Sequence, residues 1–141
     1  MNDEKVLTQI LHTVQMGQSG IRCVMEDAID PELKKEMKKQ LQTYDAIEKQ
    51  ALALGEKHGW KLKNIASSVL SMSEMMAKMQ LWGGQRDSKI AGMLIQGNTR
   101  GMIQGSKNLH HNPKLDAEIR SLGQQLVAQE KTSIGNSQRY L

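Results

Sequence analysis

Gly97, Gly101 and Gly105 recur every fourth residue within Ile-Ala-Gly-Met-Leu-Ile-Gln-Gly-Asn-Thr-Arg-Gly-Met-Ile-Gln-Gly-Ser-Lys-Asn-Leu, residues 90–109, and this spacing limits the fold more than any other feature of the chain. On a helix it lines up three absent side chains along one stripe. Each glycine costs about 1 kcal/mol relative to alanine inside a helix, so the segment is a poor helix alone and needs neighbours packed closely against it. The stripe predicts a central, buried helix of small-xxx-small type. Gln96, Asn98, Arg100, Gln104 and Lys107 around it place that packing in water rather than lipid.

The 141 residues amount to one domain, long enough to bury a core. With no Phe and only Trp60, Trp82, Tyr44 and Tyr140 as aromatics, that core falls to Leu, Ile, Val, Ala and the ten Met. No run of eighteen apolar residues offers a membrane span, and the charged start Met1-Asn2-Asp3-Glu4-Lys5 lacks the apolar stretch of a signal peptide. A soluble, cytoplasmic protein is expected. Cys23 is the single cysteine and sits among Ile21, Val24 and Met25, which suits a buried small apolar residue rather than a nucleophile. The net charge is +4, and Lys34, Lys35, Lys38 and Lys39 alternate with Glu32 and Glu36. That mixture describes a solvated helix face, and nucleic acid is not an expected partner.

Apolar positions then step along the chain by four and three. Leu7, Leu11, Val14, Gln18, Ile21, Met25 and Ala28 form a first helical seam, apolar except at Gln18. Asp30-Pro31-Glu32 supplies a capping side chain, a proline suited to the first helical position and an acid at the positive helix end. The second seam runs Met37, Leu41, Tyr44, Glu48, Ala51, and glycines at 55 and 59 signal its end. Ile65, Val69, Met72, Met76 and Met79 predict a short amphipathic helix at 64–81 on a long connection, broken by Gly83 and Gly84. Asp87 or Ser88 can cap the next helix, with seam Ala91, Leu94, Asn98, Gly101, Gly105. Asn112-Pro113 repeats the cap-and-proline signal before a last seam of Ile119, Leu122, Leu126, Glu130 and Ser133. The expected helices are 4–28, 31–58, 64–81, 87–109 and 113–139.

The halves echo one another. Asp30-Pro-Glu-Leu-Lys-Lys-Glu-Met37 and Asn112-Pro-Lys-Leu-Asp-Ala-Glu-Ile119 share cap, Pro, Leu and Glu at equal spacing, and Gly17-Gln18-Ser19 corresponds to Gly97-Asn98-Thr99. Two helical hairpins joined by a crossover are the simplest architecture, an all-α antiparallel four-helix bundle in one domain, 1–141. In this respect the chain resembles the ferritin-like four-helix bundle superfamily, in particular small bacterial ferritin-like domains. Metal-binding members of that group place a Glu on the first and third helices and Glu-x-x-His on the second and fourth. The resemblance therefore implies Glu48 and Glu130 as metal ligands, with Gln18 and Asn98 at the other ligand positions. Here the first and third helices offer amides, and the His positions are Ala51 and Ser133. Two carboxylates without a His leave few hard ligands for a pair of divalent ions.

The expected function is thus a non-catalytic structural or protein-interaction module with a degenerate metal site and no cofactor. The alternative is a metal-binding member of di-iron or manganese type, with a redox or storage role. In the first reading Gln18 and Asn98 are satisfied buried amides that set register, and Glu48 and Glu130, if buried together, raise each other's pKa. With a tight turn between the first two helices, Gln18 and Glu48 would stand roughly 9 Å apart in height.

Three further features carry competing readings. Met72, Met75, Met76 and Met79 could offer soft thioethers to Cu(I), but methionine also fills apolar gaps. The same 64–81 helix could grip a protein partner or close a homodimer, since Met-rich faces suit adaptable surfaces and cyclic dimers are the commonest assembly. Lys63 and Lys78 give a membrane surface little to hold. His110-His111 could reach a transition metal or simply end a helix, and His12 and His58 stand without a nucleophile at a recognisable spacing. No phosphate-binding glycine loop is present.

Overall fold

The structure, a computed structural model, describes residues 2–141, and among them every regular element is helical. The order is α1 (Asp3–Val24), a 3₁₀ turn at Met25–Asp27, α2 (Pro31–Lys57), α3 (Ser67–Gln80), α4 (Arg86–His111), α5 (Ala117–Ser137) and a closing 3₁₀ turn at Gln138–Tyr140. The all-α expectation holds, and no helix among the described residues is long and apolar enough to cross a membrane.

Local chemistry fixes most of the ends. Asn2 accepts from the Lys5 amide and caps α1, while Asp30 accepts from the Glu32 amide with Pro31 in the first position of α2. At the other end of α2, Gly59 takes φ +73, the Trp60 amide reaches the Gly55 carbonyl at 2.8 Å and the Gly59 amide reaches Glu56 at 3.0 Å. This is a Schellman closure, and it needs glycine at that left-handed residue. Gly55 lies inside α2, where its missing side chain admits Leu62.

Two predicted starts differ. Asp87 does not cap α4. Its carboxylate instead accepts from the Ile29 and Asp30 amides, at 2.7 and 2.9 Å, and so ties the start of α4 to the loop before α2. Asn112-Pro113 does not open α5 either. Asn112 bonds back to the Asn108 carbonyl, its own carbonyl accepts from Leu115 and Arg120, and α5 begins at Ala117 under the side chain of Asp116.

The two largest contacts pair α1 with α2 and α4 with α5; α2 also packs on α5, α1 on α4, and α3 on α1. Every position of the predicted α4 and α5 seams is buried. On α1 the buried set includes Val6, Ile10 and Val24 beyond the predicted seam, and on α2 the buried line runs Leu33, Met37, Gln40, Tyr44, Ile47, Ala51 and Gly55. Gln40 and Ile47 take the central places predicted for Leu41 and Glu48, both of which are half-buried.

Helix α3 turns the opposite way from its predicted seam. Val69, Met72, Met75, Met76 and Met79 are 44–66% exposed, and Leu70, Ser73, Ala77 and Leu81 face the molecule. The reason is polar anchoring to α1 and the turn after it. Ser19 donates to Glu74 at 2.7 Å, the Cys23 thiol reaches the Glu74 carbonyl, and Lys78 pairs with Asp27 at 2.5 Å. Glu74 and Lys78 are one turn apart, so fixing them fixes the face of the helix.

Candidate functional site

The glycine stripe explains how the interior is built. A Cβ at Gly101 would run into the Glu130 carboxylate and approach Thr13 Cγ2 at 3.1 Å, and one at Gly105 would meet Val127 at 2.8 Å. Gly17 on α1 does the same for the ring of Tyr44, where an added Cβ would lie 2.5 Å from Cε2. Two glycines thus make room for a Tyr44–Glu130 pair between the helices. Gly97 and Gly20 have nothing within 4 Å and open onto a cleft instead.

At the floor of that cleft Tyr44 Oη donates to Glu130 Oε1 at 2.5 Å, and Asn98 Nδ2 donates to Tyr44 Oη at 3.0 Å. Glu130 is 1% exposed and Asn98 3%. Removing a carboxylate from water disfavours its charged form, and burial pushes Glu130 up to about 7 against hydrogen bonds from Tyr44 and Asn98 that hold it down. Tyr44 is raised as well, by burial first and then by the charge and hydrogen bond of Glu130. Two acceptors in this floor lack a partner: Asn98 Oδ1 and Gln40 Oε1. Gln40 spends its amide group on Glu36 and Ser137, both at 3.2 Å.

The cleft measures about 540 Å³ and lies between α1, α3 and α4, with Gln40, Tyr44, Asn98 and Glu130 at its base and Ile21, Val24, Leu94, Met93 and Met76 among its apolar walls. His12 and Arg100 are the other ionisable residues lining it. His12 donates through Nε2 to the Lys63 carbonyl at 2.8 Å, which holds the segment leading into α3 near the cleft.

The four residues singled out by the ferritin-like resemblance divide between two networks. Asn98 and Glu130 share Tyr44. Gln18 and Glu48 belong to a second cluster, where Gln18 Nε2 donates to Asp45 at 2.8 Å and to Glu48 at 3.1 Å, and Gln15 donates to Glu48 and to Asn64. That cluster lines a separate, open depression of about 520 Å³ with Arg22, Cys23 and Glu74. Gln18 and Glu48 meet despite their expected difference in height because the connection is not a tight turn. Residues 25–27 form a 3₁₀ turn and Ala28 and Asp30 are extended, a path of about 16 Å at ~2.0 and ~3.3 Å per residue.

No group of three or more His, Cys, Asp and Glu side chains positioned to hold a metal ion occurs among the described residues. Ala51 and Ser133, at the family's His positions, are buried. His110 and His111 are exposed at the last turn of α4. Burial pushes the Cys23 thiol up, with Glu74 and Asp27 adding to the rise and Lys78 opposing it, so the thiolate is disfavoured.

Tyr44 stands on the predicted α2 seam but was not singled out as a site residue, and Gln40 lies off that seam. The available signal was a tyrosine on the buried line of α2, since a buried phenol needs a hydrogen-bond partner. Comparison of the chain with protein-family profiles, with characterised proteins and with solved structures finds no match.

Proposed function

We propose that this protein is a non-catalytic binding module, a ferritin-like antiparallel four-helix bundle of α1, α2, α4 and α5 with α3 on the crossover, which takes a small ligand into the cleft beside Tyr44. The packing of α1 on α2 and of α4 on α5, closed by α2–α5 and α1–α4 contacts, supports the bundle. The observation that carries the ligand reading is the unpartnered Asn98 carbonyl at the base of a cleft of about 540 Å³. Ligand sites are typically concave, mostly apolar and furnished with a few convergent polar groups, in volumes of roughly 300–1,000 Å³. A buried titratable group with a displaced pKa at the base is a second mark of such sites.

A ligand-observed NMR screen of small apolar fragments tests it. Binders should compete with one another and be lost in a Gly20→Leu/Gly97→Leu double variant, whose side chains start from positions where an added Cβ has nothing within 4 Å and project into the cleft. A screen without hits, or hits unaffected by the filling, would overturn the reading. Loading with Fe(II) or Mn(II) tests the metal alternative, for which two tightly held ions per chain is the deciding result.

A second reading concerns the outside of α3. Met72, Met75, Met76 and Met79 are more than half exposed, and Trp82 just beyond them is 77% exposed. Such a contiguous apolar face suits association, and we propose a second copy of the chain as its occupant. Sedimentation should then show a dimer that a Met72→Glu/Met75→Glu variant converts to monomer.

A further inference from the structure

We infer that the occupant of the cleft is a small organic cation, a primary amine on an apolar body, whose ammonium group docks on Asn98, Gln40 and Glu130. This deepens the ligand-binding reading and rests on it. The inference follows from which hydrogen-bonding capacity the floor leaves unused. Asn98 donates one amide hydrogen to Tyr44, acts as a donor toward Glu130 as well and keeps Oδ1 unpartnered, while Gln40 has spent its two on Glu36 and Ser137 and keeps Oε1. Glu130 accepts from Tyr44 at 2.5 Å, with Asn98 as a second donor beside it, and a carboxylate has lone pairs to spare. With Glu130 ionised, the residual capacity at all three is for accepting.

An ammonium carries three donors and no acceptor, which complements such a floor, whereas a carboxylate or phosphate would face oxygen with oxygen. Charge points the same way. A buried carboxylate costs free energy unless an opposite charge meets it, and Glu130 has no ion-pair partner among the described residues. Arg100 lines the cleft but is exposed and makes no ion pair there. The walls of Ile21, Val24, Leu94 and Met93, opened by the bare backbone at Gly20 and Gly97, give the rest of the ligand an apolar lining.

Calorimetric titration with hexylamine, ammonium chloride, 1-hexanol and hexanoate at pH 8 separates the terms. Hexylamine should bind at least tenfold more tightly than each of the others, and Glu130→Gln and Asn98→Ala should each weaken it tenfold or more, with circular dichroism verifying the fold. If Asn98→Ala does not fold, Gln40→Met takes its place. Hexanol or hexanoate binding as well as hexylamine would overturn the cation while leaving the cleft as a ligand site. Ammonium binding equally well would overturn the apolar body. Silence from all four probes sinks the amine alone if other fragments bind in the cleft, and sinks the ligand site too if none does. Unchanged hexylamine affinity in Glu130→Gln would likewise end it.

Discussion

Two polar clusters in this molecule use nearly the same residue types, each with a buried amide, and differ in how far the carboxylate is enclosed. The buried Gln18 reaches out to the half-buried Glu48 and Asp45 beside an open depression, where Gln15 and Asn64 join them, whereas Asn98 and Glu130 meet Tyr44 in the interior. In sequence they are counterparts, since each amide follows a glycine on the first helix of its half and each Glu lies eighteen residues after a cap-and-proline pair. The difference comes from what packs across them. Gly101 lets α4 close over Glu130, while Glu48 sits beside the chain leading to α3, where the depression stays open. An amide and a carboxylate on helical seams therefore do not define a site. The neighbouring surface decides whether the carboxylate is solvated or enclosed.

The largest test of that difference is at the glycine itself. Gly101→Leu should cost about 3 kcal/mol by overpacking against Glu130 and Thr13, lowering the thermal midpoint by roughly 10 °C. Gly97→Ala, in the same stripe but facing open space, should raise stability by up to ~1 kcal/mol. Equal effects at the two positions would mean that α4 does not close on α5 there.

Next comes pH. The Glu130 carboxyl gives up its proton near its ordinary 4.5 when unfolded but only at about 7 when folded, so the folded state holds more protons between those values. Stability contributed by this group is complete below about 4.5 and declines as pH rises through about 7, by on the order of 3 kcal/mol at most. Its partner is Tyr44, and His12 and Arg100 are the other ionisable groups on the cleft. Urea midpoints of Glu130→Gln and the parent should agree near pH 4 and separate toward pH 8 in favour of the variant. Parallel curves would place Glu130 in contact with solvent, like Glu48.

Tyr44→Phe removes the hydroxyl that joins Glu130 to Asn98 and should cost about 2 kcal/mol in chemical denaturation, since it strands two buried polar groups. Glu48→Gln, in the open cluster, should cost under ~1 kcal/mol because water replaces what it loses. A reversal of that ranking would abolish the contrast between the two clusters.

Much of the helical framework was legible from local chemistry. The Asp30-Pro31 start and the left-handed glycines at 59, 83 and 84 depend on a few neighbouring bonds. The buried lines of α4 and α5 follow from spacing alone. Asp116 was hidden behind the stronger signal of Asn112-Pro113, and the orientation of α3 was beyond local reach because both of its faces are apolar enough to bury. Three polar contacts from Ser19, Cys23 and Asp27, more than fifty residues away along the chain, chose between them.

The sequence by itself determined that the chain is helical, most of its breaks and that α4 carries a stripe needing close company, because caps, glycine conformations and period act within a few residues. Tertiary structure alone decided that Gly101 shelters a carboxylate, that Tyr44 joins it to Asn98 and that Gly97 and Gly20 open a cleft instead. Those outcomes depend on which surfaces meet across the interior, and burial, which sets both the cost of an unpaired acceptor and the charge of Glu130, is a property of that meeting.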